Sequence, residues 1–438
     1  MAAGSVAGWM QGQEARALLT RLARVKPFAL HETMVPAAAP APATQVAVEQ
    51  CLARGRRVLH DQVHRYLRWL QGPEGRRASP AEMQRRFTFL RLRFNSVLSQ
   101  FDLFADVITQ RSEHETGVWL SGLDVVAADA LRLPGGYFEI PPVLCYLDRG
   151  HGAAIRRART RLPGGGENPV AIIRVPRERM VGSGIASSLV HEVGHQGVAL
   201  LGLVDSIRLL LQGLQKGSGE DRIAWQLWER WISEILADFW SVAKVGVAST
   251  LGLIGVVSLP RPFVFRVSLD DPHPMPWIRV KLSCVMGQAL YPHTQWERLA
   301  RLWESFYPTT GLDEETRRLI ATLEEGMPGF VGLLVHHRPK ALRGRSLMEV
   351  MSVTERQPDR LTAYYQAWRA SPARIQAASP SLAFAVIGQA RANGEISPEE
   401  ESRTIAQLLT HWALRSTLDT SAICAGRSKM PVTTAYTN

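Results

Sequence analysis

The chain has 438 residues, 46% of them hydrophobic, and a formal net charge of +11. That is enough apolar material for a large core spread over two or three lobes. Its four cysteines (Cys51, Cys145, Cys284 and Cys424) are far apart and form no C-x-x-C pair, which excludes a disulfide framework or a cysteine zinc site and points to a reducing compartment.

Arginine carries nearly all the positive charge and is scattered, with only six lysines in the chain. Runs such as Arg54-Gly55-Arg56-Arg57 and Arg85-Arg86 read as solvated helix faces, so nucleic acid is not expected as the main partner. Arg16, Arg21 and Arg24 interrupt any signal-peptide core, and no purely apolar run reaches 18 residues. Val245 to Pro260 comes nearest and reads as a buried core helix, the alternative being a membrane-dipping hairpin. The expected location is cytoplasmic, and the oligomeric state is left open.

In chain order, residues 6–25 read as a short amphipathic helix and residues 36–44 as a Pro/Ala linker. A helix follows over 45–70 and stops at Gly72-Pro73. Ser79-Pro80-Ala81-Glu82 starts another, with a Ser cap, Pro in the first turn and Glu at N3. Phe and Leu on several of its faces predict a helix enclosed by others. Beyond Leu133-Pro134-Gly135-Gly136 the best strand candidates are 143–147 and 170–175, with Gly164-Gly165-Gly166 as a hairpin loop. A helix is expected to begin near Ser187 or Ser188 and run to Leu214. Ser218 and Asp221 then suggest a capping box for a helix reaching Val245. From Arg279 onward the chain reads helical, with turns near Pro308, Pro328 and Pro339.

His191-Glu192-Val193-Gly194-His195 is an H-E-x-x-H motif on the helix running to Leu214. Histidines four residues apart share one helix face, so both imidazoles can reach one zinc ion. Glu192 sits where it can take a proton from water beside that ion. The third ligand must come from elsewhere, because Val198 and Leu201 stand where the metzincin continuation needs Gly and His. Glu234-Ile235-Leu236-Ala237-Asp238 is the best source. Its two acids share a helix face with Leu227 and Trp231, and burying them without partners would cost several kcal/mol. Glu234 would ligate the metal, and Asp238 would accept the second ring N–H of a ligand histidine. The alternative is a solvated Glu and Asp on a helix edge. Glu229 and Asp205 are weaker candidate ligands. As straight helices the two segments mismatch by roughly 9 Å at 1.5 Å per residue. A kink at Gly197, Gly202 or Gly213 could absorb that.

Together these residues resemble the gluzincin superfamily of zinc metallopeptidases, in which H-E-x-x-H is followed on a later helix by E-x-x-x-D. His273 and Arg279 extend the resemblance: related peptidases carry a histidine and, six residues later, an arginine after the second motif. The resemblance implies one Zn2+ per chain, held by His191, His195 and Glu234, with Asp238 orienting a histidine. It implies Glu192 as general base, His273 as donor to the oxyanion, and Arg279 as a contact to a substrate carbonyl or a support for the site. His273 could otherwise be an ordinary loop histidine. The resemblance covers roughly residues 185–280, and the 39 residues from His195 to Glu234 exceed the gap in thermolysin-like enzymes. It also suggests that 170–175 offers an edge to extended substrate, the alternative being an interior strand. His60-Asp61-Gln62-Val63-His64 mimics the motif with Asp for Glu and reads as a solvated helix face.

The expected fold is mainly α with a small β-sheet (α+β), a zincin-like core flanked by helical lobes. The divisions are 1–44 (helix and linker), 45–133 (helical lobe), 134–283 (metallopeptidase core), 284–425 (helical lobe) and 426–438 (disordered tail). The expected activity is hydrolysis of peptide bonds in a peptide or protein substrate. The alternatives are a catalytically silent metal-binding assembly protein and a membrane-associated peptidase.

Overall fold

The computed structural model describes residues 3–25, 33–149, 152–162, 165–177, 182–216, 221–267 and 271–428. The chain is mostly helical with one small mixed sheet. It begins with α1 (Ala3–Arg24), α2 (Pro42–Gln71), α3 (Pro73–Arg77), α4 (Pro80–Thr109) and α5 (His114–Leu131). The strands β1 (Val143–Asp148), β2 (Ala154–Arg156) and β3 (Ala171–Pro176) come next. Then follow α6 (Ser183–Leu200), α7 (Leu203–Leu214), α8 (Asp221–Val245), α9 (Val247–Val257) and α10 (Arg261–Val264). The rest is α11 (Pro276–Leu290), α12 (Gln295–Phe306), α13 (Glu314–His336), α14 (Leu347–Met351), α15 (Pro358–Arg369), α16 (Pro372–Ala377), α17 (Pro380–Ala392) and α18 (Pro398–Ser428).

Local chemistry explains most boundaries. Ser79 caps α4 by accepting from the Glu82 amide at 3.2 Å. Pro42 opens α2 inside the expected linker, since a proline in the first turn lacks only an amide that would have no partner. The rest of that linker forms one 3-10 turn with Ala37 and Ala38 buried. Pro328 does not turn the chain: α13 runs through it, with the proline on an exposed face. Helix α18 runs to Ser428, past the boundary at 425 and into the expected disordered tail, and the remainder of that tail lies outside the described residues. So do Gly164 and the Ser218 half of the expected capping box.

The sheet has the order β1-β3-β2, with β1 parallel and β2 antiparallel to β3. It divides two apolar cores. Leu144 and Ile172 face the smaller one, built from α1, α2 and α4. Val143, Cys145, Ala171 and Ile173 face the larger one. Burial on both faces is why β1 and β3 read as continuous apolar runs. The larger core is continuous across the expected boundaries near 133 and 283, so α5 packs with the later helices, against α6, α17 and α18.

β3 is the central strand, which corrects the idea that 170–175 is free to pair with extended substrate. The outer edge of β1 is also taken. Gln110 bonds the amide and the carbonyl of Leu147, Asp124 accepts from the Cys145 amide, and Arg111 donates to the Cys145 carbonyl. Side chains there replace a neighbouring strand.

The expected long helix breaks between α6 and α7. Gly202 takes φ +61°, a left-handed conformation natural for glycine, and the two helices meet at 77°. The bend brings α8 back across α6. Val247–Val257 is short and largely buried, which fits the core-helix reading of 245–260 rather than its membrane-dipping alternative. Among the described residues no single helix is long and apolar enough to cross a membrane.

Candidate metal centre

The site forms where α6 crosses α8. The crossing is close because two glycines of α6 face α8. A Cβ on Gly194 would lie 2.9 Å from the Ala237 carbonyl oxygen, and one on Gly197 would lie 2.4 Å from the Trp240 ring. Such separations leave no room for any larger residue. Trp240 is fixed in turn by its indole N–H, which donates to the Ala130 carbonyl at 3.0 Å. The far end of α6 is tied to the segment after β2, where Gln196 accepts from the Ala158 amide at 2.8 Å.

On this crossing His191, His195 and Glu234 converge, each offering one ligand atom, all within 4.8 Å of one another. His191 Nε2 lies 3.2 Å from one Glu234 oxygen, and His195 Nε2 lies 3.5 Å from the other. Bonds of ~2.1 Å in tetrahedral array around zinc separate ligand atoms by about 3.4 Å. Two imidazole nitrogens and one carboxylate are also the donors zinc takes. Neutral imidazoles would turn lone pairs toward Glu234, so the arrangement calls for protons or a cation between them. On both counts the residues fit a zinc ion.

The next layer holds these groups in place. His191 Nδ1 lies 2.8 Å from an Asp238 oxygen, which assigns the proton to Nδ1. Arg279, in the first turn of α11, donates from Nε and Nη2 to the two Asp238 oxygens at 2.6 and 2.8 Å. Asp238 is therefore satisfied without a metal, and Glu234 is the carboxylate whose burial asks for one. His273 Nε2 lies 3.2 Å from Glu234, and its Nδ1 lies 2.7 Å from Asp271, which also accepts the His273 amide. His195 Nδ1 lies 3.5 Å from the Ser233 hydroxyl.

The electrostatics follow from these contacts. Burial raises the Glu192 carboxyl above its ordinary value against the pull of His191 and His195. Burial works the same way on Glu234, but hydrogen bonds from His191, His195 and His273 hold it well below the carboxylate range. At Asp238 the Arg279 and His191 charges likewise overcome burial and lower it. Burial alone would lower His191, yet Asp238 raises it to about 9. The bond to Glu234 raises His273.

All seven residues singled out from the sequence thus gather here: Glu192, His273, Arg279, His191, His195, Glu234 and Asp238. Arg279 is bound to Asp238, so of its two expected parts the support of the site is the one its contacts describe. The weaker ligand candidates lie elsewhere. Glu229 bonds Gln212 and Gln215 between α7 and α8, and Asp205 is exposed beside Arg208. His60 and Asp61 are exposed on α2, as a solvated face requires. Sequence reasoning missed Asp271, whose signal was an acid two residues before His273, and missed Gly194 and Gly197 as the seat of the crossing. Comparison of the chain with protein-family profiles, curated proteins and solved structures finds no significant match in any of the three.

Proposed function

We propose that the chain is a zinc metallopeptidase with a zincin-like core, hydrolysing peptide bonds with Glu192 as general base. The observation that carries this is the convergence of His191, His195 and Glu234 on one point with a buried Glu192 on the same turn of helix. Bound there, zinc supplies Lewis acidity toward water and a substrate carbonyl.

The chain's own groups divide the remaining work. Glu192, its affinity for protons raised by burial, accepts the proton of the attacking water and delivers it to the departing amine. His273, backed by Asp271, donates to the negative charge that develops on the carbonyl oxygen. Asp238 keeps His191 in the tautomer that leaves Nε2 free, and Arg279 keeps Asp238 in place. A purely structural metal site would need no buried carboxylate in the Glu192 position, which favours an enzyme over a silent binding protein.

The test is Glu192→Gln. Hydrolysis of a peptide library by the wild type, abolished in the variant with zinc content unchanged, supports the proposal. Equal activity in both forms, or none in either with zinc bound, sinks it.

A further inference from the structure

Five large apolar side chains gather in the open where α10 meets the end of α12. Leu259, Phe263 and Val267 are exposed at steps of four residues, and Leu302 and Phe306 are exposed one turn apart. The two rows are fastened together. The Tyr307 hydroxyl donates to the Leu259 carbonyl at 2.9 Å, and Arg261 donates to the carbonyls of Pro308 and Thr310 at 2.5 and 2.6 Å. Beneath them Phe265 stacks on Trp277, whose indole N–H donates to the Tyr307 carbonyl at 3.0 Å. Scattered exposed apolar residues need no explanation, but a strip on rigid backing does.

The strip lies beside the mouth of the metal centre. His273 is the most open of the converging side chains, 45% exposed against 11 to 15% for His191, His195 and Glu234. Solvent therefore reaches the centre on the His273 side. Asp271, the partner of His273, comes four positions after Val267 in the chain, a reach of at most about 14 Å. Trp277 under the strip is two residues from Arg279. Two arginines flank the strip: Arg266 follows Phe265, and Arg298 precedes Leu302 by one turn. Among the described residues neither arginine has a carboxylate within ion-pair distance.

We propose that this strip docks an extended segment of the polypeptide substrate, rich in large apolar residues and flanked by acidic ones, away from the bond cleaved. It rests on the metallopeptidase proposal for why a polypeptide comes there, but the binding needs no turnover. Continuity with the mouth and two arginines with no ion-pair partner among the described residues favour such a segment over a second copy of the chain or a lipid surface.

The experiment uses full-length protein carrying Glu192→Gln, so that nothing is cleaved. The probe is a fluorescein-labelled peptide of Leu and Phe residues flanked by glutamates, beside a lysine-flanked counterpart. The glutamate peptide should bind more tightly than the lysine one, and added salt should narrow the difference. Adding Phe263→Ser with Phe306→Ser should weaken binding about tenfold or more. Both side chains are exposed, so an unchanged melting temperature should accompany the loss. No binding, or equal binding with and without the serines, overturns the proposal. So does a dimer in sedimentation that the serines dissociate, or binding to phosphatidylserine vesicles that they abolish while the peptide stays unbound. Absence of zinc or of hydrolysis in the wild type would overturn the metallopeptidase proposal alone, because the peptide measurement is read without either.

Discussion

Asp238 is gripped from two sides: His191 Nδ1 stands 2.8 Å from one oxygen, and Arg279 donates to both. A single carboxylate thus sets the tautomer of one candidate ligand and binds α6, α8 and α11 into one unit. Asp238→Asn keeps the shape but turns an amide N–H toward either Arg279 or His191. Zinc affinity should fall by about 10- to 100-fold, as it does when such outer partners are removed elsewhere. Asp238→Ala should instead destabilise the fold by about 3–5 kcal/mol, since it strands a buried guanidinium. Chelator competition and urea unfolding check the two effects. An Asn variant with unaltered zinc affinity would remove Asp238 from the site's chemistry.

Glu234 is the one buried carboxylate here whose polar partners are all imidazoles. Plasma mass spectrometry of the purified wild type should find about one zinc per chain, lost or much reduced in Glu234→Ala. No zinc in the wild type after reconstitution would mean that protonated histidines satisfy Glu234, and the H-E-x-x-H pattern would be a coincidence of helix spacing.

Much of this centre was legible because its pieces are local. Four-residue spacing put His191 with His195 and Glu234 with Asp238 on common helix faces, and the mismatch in helix lengths called for a break that Gly202 supplies. What the sequence hid is set by tertiary packing. Asp271 touches His273 only because the loop before α11 folds back on itself, and periodicity has nothing to say about loops. The central place of β3 depends on β2, a strand of three residues too short to leave a pattern. α5 is apolar on most of its surface, so its pattern could not tell which core it joins.

The α6–α8 crossing makes a sharp prediction about glycine. Gly197→Ala pushes a methyl group into the Trp240 ring, and Trp240 cannot retreat without losing its bond to Ala130. Urea unfolding should report a loss of about 1–3 kcal/mol, typical of overpacking. Gly213→Ala in α7 meets nothing within 4 Å and should be neutral or stabilising by up to ~1 kcal/mol. If the two substitutions behave alike, the close crossing is not what glycine is there to permit.

Lys244, in the last turn of α8, is buried with its ammonium donating to the Arg132 carbonyl and, among the described residues, no carboxylate in ion-pair contact. Burial first, then the nearby Arg356 charge, lowers its pKa to about 7 from 10.5. Between those values the unfolded chain holds a proton that the folded chain has released. The contribution of Lys244 to stability should therefore rise with pH across this window and fall as pH drops toward 7, the reverse of a salt-bridged lysine. His191, raised to about 9, opposes this trend, as do the free cysteines Cys51, Cys145 and Cys284 at higher pH, where burial raises their thiols, so the Lys244 contribution is read as a difference between two proteins from pH 7 to 8.5. Over that range the rise attributable to Lys244 should be on the order of 1–2 kcal/mol at full effect. Lys244→Met should remove it, and urea unfolding at both pH values in both proteins measures the difference in slope. Absolute stability is the wrong readout, because methionine also leaves the Arg132 carbonyl without its donor. Parallel pH dependences in wild type and variant would mean that Lys244 keeps its proton in the folded state despite its burial.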